Sequence, residues 1–270
     1  MTTLSAYVEA IGVRGPGLAD WPATRAVLRG ETPYLHAPTE LPAPERLPSA
    51  ERRRAVPVVR IAFAAAEQAT RERPDLSTLP TVFTSSGGDG PNYHAICETL
   101  ASDDKMISPT RFHNSVHNAP SGYWSIATRD MASSNVLCGH DASFGAGLLE
   151  SLSQIVCDGQ TVMLVAYESD YPEPLRSVRP IPDAFGVALI LSPEPSDRAL
   201  VRLDVSLSDE PHQTLDDAQL ESLRASVPSA RALPLLATMA AALNGDASIT
   251  HECVLEYLPG TALHLTVSAC

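Results

Sequence analysis

The 270-residue chain is poor in aromatic residues (5%), short of basic side chains (19 Lys and Arg against 32 Asp and Glu) and free of long apolar runs. The formal charge of −13 and the pI of about 4.9 argue against nucleic acid or an anionic membrane as main partner, because phosphate-rich surfaces would be repelled. The basic deficit is uneven. Residues 1–135 carry 13 basic and 14 acidic side chains, whereas residues 136–270 carry 6 and 18, so an acidic partner is expected to dock on the first half. The longest apolar runs, 162–166 and 187–191, are far too short for a bilayer span. The start, MTTLSAYVEAIGVRG, lacks the basic and apolar regions of a signal peptide. The five cysteines (Cys97, Cys138, Cys157, Cys253 and Cys270) form no C-x-x-C pair, which fits free thiols in a reducing compartment. A soluble, cytoplasmic protein is expected. No cofactor is implied: the glycine-rich 85–90 segment (SSGGDG) lacks the Lys-Ser/Thr of a phosphate loop and the three-glycine dinucleotide spacing, and Asp89 would repel a phosphate.

What is present is an α/β pattern of one large domain or two small ones, long enough to bury a core without staples. Strands are expected at 4–13, 80–85, 134–138, 161–167, 185–191 and 200–206, with a terminal pair at 250–257 and 262–268 across Pro259-Gly260. Helices are expected at 20–29, 55–72, 91–101, 121–129, 144–157, 214–226 and 230–243. Asp20 serves as N-cap of the first and Gly30 as its stop. The alternation of apolar runs with helical patterns predicts a largely parallel sheet covered by helices. Loops are expected at 32–50, 108–122 and 171–182, where prolines gather.

Several residues then fall into the order of a known family. Ile107-Ser108-Pro109, the run Asn114 to Ala119, Ser121-Gly122 and Ser125-Ile126 resemble the dimer-interface stretch of β-ketoacyl-acyl-carrier-protein synthases. The first strand with Gly12, the span Trp21 to Gly30, the Arg52-Arg53-Arg54 approach to an Ala-rich helix, Ser86-Gly87-Gly88 and the Asp183 to Gly186 run also have counterparts. The match covers roughly residues 4–192. It implies a thiolase-like α/β fold, complete in its N-terminal half (1–192) and abbreviated in its C-terminal part (193–270).

The departures bear on activity. The family needs a cysteine at the start of the helix that follows the 134–138 strand, where the helix terminus and oxyanion-hole amides support thioester chemistry. Here the turn reads Cys138-Gly139-His140-Asp141-Ala142-Ser143. Ungapped alignment from Ser108 places Asp141 at the nucleophile position, and alignment back from Gly159 places Ala142 there. Cys138 lies earlier, where a small buried hydrophobe is expected. His212, His251 and His264 lack the glycine-bounded context of the family's catalytic histidines. The resemblance therefore implies a short, cysteine-less chain length factor of the aryl polyene or xanthomonadin type. It would be non-catalytic and paired as a heterodimer with an active ketoacyl synthase, itself served by an acyl carrier protein, in polyketide or fatty-acid-type elongation. A weaker homodimer is expected when that partner is absent.

On this reading, Phe112, His113, Asn114, Ser115, Val116, His117 and Asn118, with the strand 134–138, form the interface. Phe112, Tyr123 and Trp124 are candidates for a tunnel floor, with ordinary core packing as the alternative. Arg52, Arg53, Arg54 and Arg60 either greet a carrier protein or form a solvated face with pairs to Glu51 and Glu67. His113 and His117 stand i,i+4, a metal-ligand spacing, but Pro109 and Pro120 bracket them and no third ligand is near; no metal is expected. The other readings are an acyltransferase or hydrolase using Ser143 or Cys138, and a stand-alone module binding a carrier protein or acyl chain. Against Ser143, the G-x-S-x-G elbow fails at Asp141.

Overall fold

Residues 162–168 and 185–192 are apolar at almost every position, the mark of strands covered on both faces. In the computed structural model, which describes residues 2–245 and 248–270, both strands lie in the middle of one eight-stranded sheet. In chain order the elements are β1 (Leu4–Arg14), α1 (Trp21–Leu28), α2 (Ser49–Arg54), α3 (Pro57–Ala69), β2 (Thr81–Thr84), α4 (Gly90–Ala101), α5 (Pro109–His113), α6 (Ala119–Thr128) and β3 (Ser134–Leu137). There follow a 3₁₀ turn (His140–Ala142), α7 (Ser143–Asp158), β4 (Val162–Glu168), α8 (Leu175–Val178), β5 (Phe185–Ser192), β6 (Val201–Ser208) and α9 (Ala218–Ser226). A second 3₁₀ segment (Pro228–Ala232), α10 (Leu233–Ala242), β7 (Thr250–Leu258) and β8 (Thr261–Ala269) complete the described chain.

The sheet order is β3-β2-β4-β5-β1-β6-β8-β7. Only β3-β2 and β2-β4 pair in parallel, and the other five pairings are antiparallel. This corrects the expectation of a largely parallel sheet: a strand buried on both faces reads as a continuous apolar run whichever way its neighbours point.

Alternate side chains of β4 enter two separate cores. Val162, Leu164 and Ala166 join the larger one with α7 and α10, while Met163, Val165 and Tyr167 join the other with α3 and α6. Helix α3 lies close because of its alanines and because Gly12 opposes it. A Cβ at Gly12 would stand 2.0 Å from the Ala65 carbonyl oxygen. The last three strands, β6, β8 and β7, continue the same sheet beyond β1 and join the larger core through Val201, Leu203, Val205, Leu263, Leu265, Val267, Cys253 and Leu255.

Two local expectations also change. The 108–122 loop contains α5, and α6 starts at Ala119, because Pro109 and Pro120 sit in first helical turns, where no N–H is needed. The proline-rich 32–50 loop gives way to the short helix α2 already at Ser49, ahead of the long helix expected from residue 55.

Candidate functional site

Since β2, β3 and β4 run parallel, the turns that leave β2 and β3 and the end of β4 meet at one end of the sheet. Gly139 to Ser143 form the turn at the expected nucleophile position. His140 takes a left-handed φ of 52°, and Ala142 is buried as the N-cap of α7. Asp141 projects from this turn with its side chain 43% exposed. Arg179 Nη2 donates to Asp141 Oδ1 at 2.9 Å, and Arg231 Nη2 lies 3.2 Å from Oδ2. Arg231 Nη1 reaches Glu256 Oε1 at 2.9 Å, and Glu256 Oε2 accepts from Arg224 Nη1 at 3.0 Å. Arg224 also forks onto Glu221, at 2.7 and 2.8 Å. Alternating charges thus connect the β4–β5 loop, the turn, the 228–232 segment, β7 and α9. No sequence spacing announces such a chain.

The fallback nucleophiles have other engagements. Ser143 is buried; its Oγ donates to the His140 carbonyl at 2.7 Å and accepts the Gly139 N–H at 3.1 Å, so the hydroxyl closes its own turn. Cys138 is not the buried strand residue that its sequence context suggests: β3 ends at Leu137 and Cys138 is exposed, its Sγ–H donating to the Ser86 carbonyl at 3.1 Å.

The neighbouring 85–90 turn holds a carboxyl that sequence reasoning misses. Glu168 ends β4 fully buried. Its Oε1 accepts the Ser86 N–H at 2.6 Å, and its Oε2 accepts the hydroxyls of Ser86 (3.0 Å) and Ser85 (3.4 Å). Burial pushes its pKa up to about 7, while the Ser86 N–H and hydroxyl and the Arg179 charge pull the other way. The one signal in the sequence is an acid closing the apolar run VMLVAY. Asp89 caps α4 through the Asn92 N–H at 3.2 Å, and burial raises it to about 6. Gly88, at φ +71°, supplies the left-handed position this turn requires.

His113 and His117 do not share a helical face, because α5 ends at His113. His113 packs edge-on against Tyr123 with centroids 5.9 Å apart, whereas His117 Nε2 bonds the Ser85 carbonyl at 3.1 Å. Among the described residues, no group of three or more His, Cys, Asp or Glu side chains is placed to hold a metal. Asn114 is buried, its amide donating to the Arg54 and Thr110 carbonyls at 3.2 and 3.1 Å, while the Ser115 hydroxyl turns back to the Phe112 carbonyl.

Phe112 (68% exposed), Val116 and Ile126 rim an apolar groove of about 470 Å³, with His113, Asn118 and Tyr123 also lining it. Trp124 lies elsewhere: it is buried in the smaller core, edge-on to Phe63 at 5.2 Å, in keeping with the core-packing alternative. Strand β3 forms the free edge of the sheet, with its four residues partly or fully exposed.

The four arginines divide. Arg52 Nη2 donates to the Glu45 and Leu47 carbonyls at 2.6 and 2.9 Å, and Arg60 Nε to the Ala55 carbonyl at 2.9 Å, so these two strap the chain. Arg54 pairs with Glu51 at 3.3 Å, as expected of a solvated face, but Glu67 meets the Arg46 N–H instead of these arginines. Arg53 has no polar partner among the described residues. Of the late histidines, His212 stands 3.8 Å from Glu256 and His264 3.8 Å from Glu252.

Residues 27–251 match the family model described as beta-ketoacyl synthase, N-terminal domain, and the chain belongs to that family. No curated protein matches the sequence. Among solved structures, a chain of the ketosynthase (ApeO) in complex with its chain length factor (ApeC) from Xenorhabdus doucetiae is similar at 21% identity and TM-score 0.72, with 97% of this chain and 99% of that one covered. A chain of the ishigamide ketosynthase/chain length factor is 10% identical at TM-score 0.73, with 98% and 99% covered. A chain of the AntDE:AntF complex, a type II PKS acyl-carrier protein with its ketosynthase bound to the hexaketide, is 11% identical at TM-score 0.77, with all of both chains covered. At these identities the likeness shows the fold, which is thiolase-like. No helix among the described residues is long and apolar enough to cross a membrane.

Proposed function

We propose that the chain is a non-catalytic, chain length factor-like subunit that pairs with an active ketoacyl synthase and completes the partner's acyl tunnel from across the interface. The observation that carries this reading is the turn at the nucleophile position. Asp141 is held between two guanidinium groups, Ala142 has no nucleophile, and Ser143 is buried in its own turn. None of these can form a thioester. The fold shared with solved ketosynthase/chain length factor complexes supports the same assignment.

Pairing is supported by β3, whose uncharged free edge lies at the end of the sheet, and by the apolar rim of Phe112, Val116 and Ile126. Phe112 to Asn118 would contribute the rim, with Tyr123 beneath it. On this reading residues 1–192 are the synthase-like part and 193–270 a shortened remnant of the second half. The acidic carrier protein would be steered to the less acidic first half, with Arg53 the free contact. The cytoplasm is the compartment such a complex would occupy.

Incubation with cerulenin or an acyl-thioester mimic, followed by intact-mass analysis, tests the absence of a nucleophile. The expected spectrum shows unmodified chain. A stoichiometric adduct on Cys138 or Ser143 would replace this reading with the acyltransferase or hydrolase one.

A further inference from the structure

The Asp141 ion pairs have a chemical asymmetry. Their two cations come from segments far apart in the sequence, the loop after β4 and the 228–232 segment, and both are restrained by other contacts. Arg179 Nη1 lies 2.8 Å from His140 Nε2, which accepts there if the imidazole is neutral, and Arg231 Nη1 is anchored on Glu256 at 2.9 Å. The anion they share, in contrast, is a single short side chain that is 43% exposed. Arg231 is only 10% exposed, and its Nε is buried without a hydrogen-bond partner, so this guanidinium has donor capacity to spare. Helix α7 starts two residues after Asp141, at Ser143, and adds the positive end of a sixteen-residue helix. Removing the Asp141 carboxylate would leave two guanidiniums facing a position open to water.

We infer that Arg179 and Arg231 form a preorganised subsite for a small carboxylate, and that Asp141 is its built-in plug. The ligand class is a compact mono- or dicarboxylate that can accept from two guanidiniums at once. The inference rests on the non-catalytic reading only in placing the plug where a nucleophile would stand. It explains why an aspartate in particular serves there: its own carboxylate fills the subsite and keeps soluble anions out.

Two variants test this. Asp141→Asn keeps the size and removes the charge. Malonate, at tenfold over its Kd and against chloride at equal ionic strength, is expected to raise the melting temperature of this variant by about 3 °C. The wild-type chain and the Asp141→Asn/Arg179→Gln/Arg231→Gln chain should not respond. Asp141→Cys, in a Cys138→Ala background, gives the second readout. Iodoacetamide labelling at residue 141 should show an ionisation midpoint clearly below the ordinary thiol value of about 8.5, returning toward it when Arg179→Gln and Arg231→Gln are added. No malonate response in Asp141→Asn, or an equal response in all three chains, overturns the subsite. So does an unshifted thiol. Should neither variant fold even in malonate, the carboxylate is an irreplaceable structural ion pair and the plug is refuted. None of these outcomes bears on whether the chain pairs with a synthase, which co-purification decides separately.

Discussion

The two edges of the sheet are built differently, and the proposed pairing uses the less guarded one. At one end, β7 is nine residues long, carries His251, Glu252 and Glu256, and shifts register between Glu256 and Leu258. Charges and bulges of this kind discourage a further strand from adding. At the other end, β3 offers Ser134-Asn135-Val136-Leu137, with no charge and no irregularity in its pairing with β2. Elsewhere on the surface, Phe112 stands exposed on the groove rim. One edge is defended and the other is left available. An undefended edge and an exposed apolar rim are tolerable in a protein whose partner covers them, as proposed.

The sharpest way to separate scaffold from interface is to truncate two aromatics that neighbour each other in the sequence order of α5 and α6. Trp124→Ala removes a buried ring from the smaller core and should cost about 3–5 kcal/mol of stability, measured by denaturant unfolding. Phe112→Ala should leave stability within about 0.5 kcal/mol while weakening synthase pairing by about 1–2 kcal/mol, read by titration calorimetry. Equal effects of the two on stability would place Phe112 in the fold rather than at the interface.

Next in size is a direct exchange of edge character. Asn135→Lys gives β3 the charge that guards β7, and pairing should weaken by about 2 kcal/mol, roughly thirtyfold in Kd. Glu252→Lys on β7 should leave pairing unchanged. A loss from Glu252→Lys alone would reverse the assignment of the two edges.

Glu168 sits behind the turn adjoining the end of β3, and its ionisation sharpens the contrast between this buried carboxyl and the ion-paired Asp141. Its folded pKa of about 7 lies above the ordinary value of 4.5. Between these values the folded chain keeps a proton that the unfolded chain gives up, so stability falls as pH rises through the window. The loss is on the order of 3 kcal/mol, and Asp89, raised to about 6, adds to it with the same sign. Glu168→Gln should flatten the slope between pH 5 and 7 relative to the wild type in pH-dependent denaturation. An unchanged slope would show that the carboxyl is already ionised at pH 5. Smallest of all should be Arg53→Glu, expected to slow carrier-protein association about threefold at low salt in stopped-flow traces, with no effect on folding.

Much of this organisation is legible in the sequence, for reasons that also mark its limits. Asp20, Pro22 and Gly30 bracket α1 because caps and stops are local chemistry. Pro259-Gly260 marks the terminal hairpin for the same reason. Strand direction is not local, and the doubly buried β4 and β5 hide their antiparallel pairing. At the site, the proposal that Asp141 or Ala142 stands at the nucleophile position comes from residue identity alone. Its electrostatics are not, since Arg179 and Arg231 reach Asp141 only after two loops have folded over the turn. The Glu168 cage likewise needs β2 and β4 side by side, which brings Ser86 onto a carboxyl 82 residues away.

The central claim, that this chain acts by pairing rather than by catalysis, is tested most directly by co-expressing it with a cognate ketoacyl synthase and following both by size exclusion. The account predicts co-elution as a stoichiometric heterodimer, with an interface at or above the ~1,600 Å² of a standard complex, and synthase activity that depends on this chain. Separate elution of the two chains, together with full activity of the synthase alone, would contradict it.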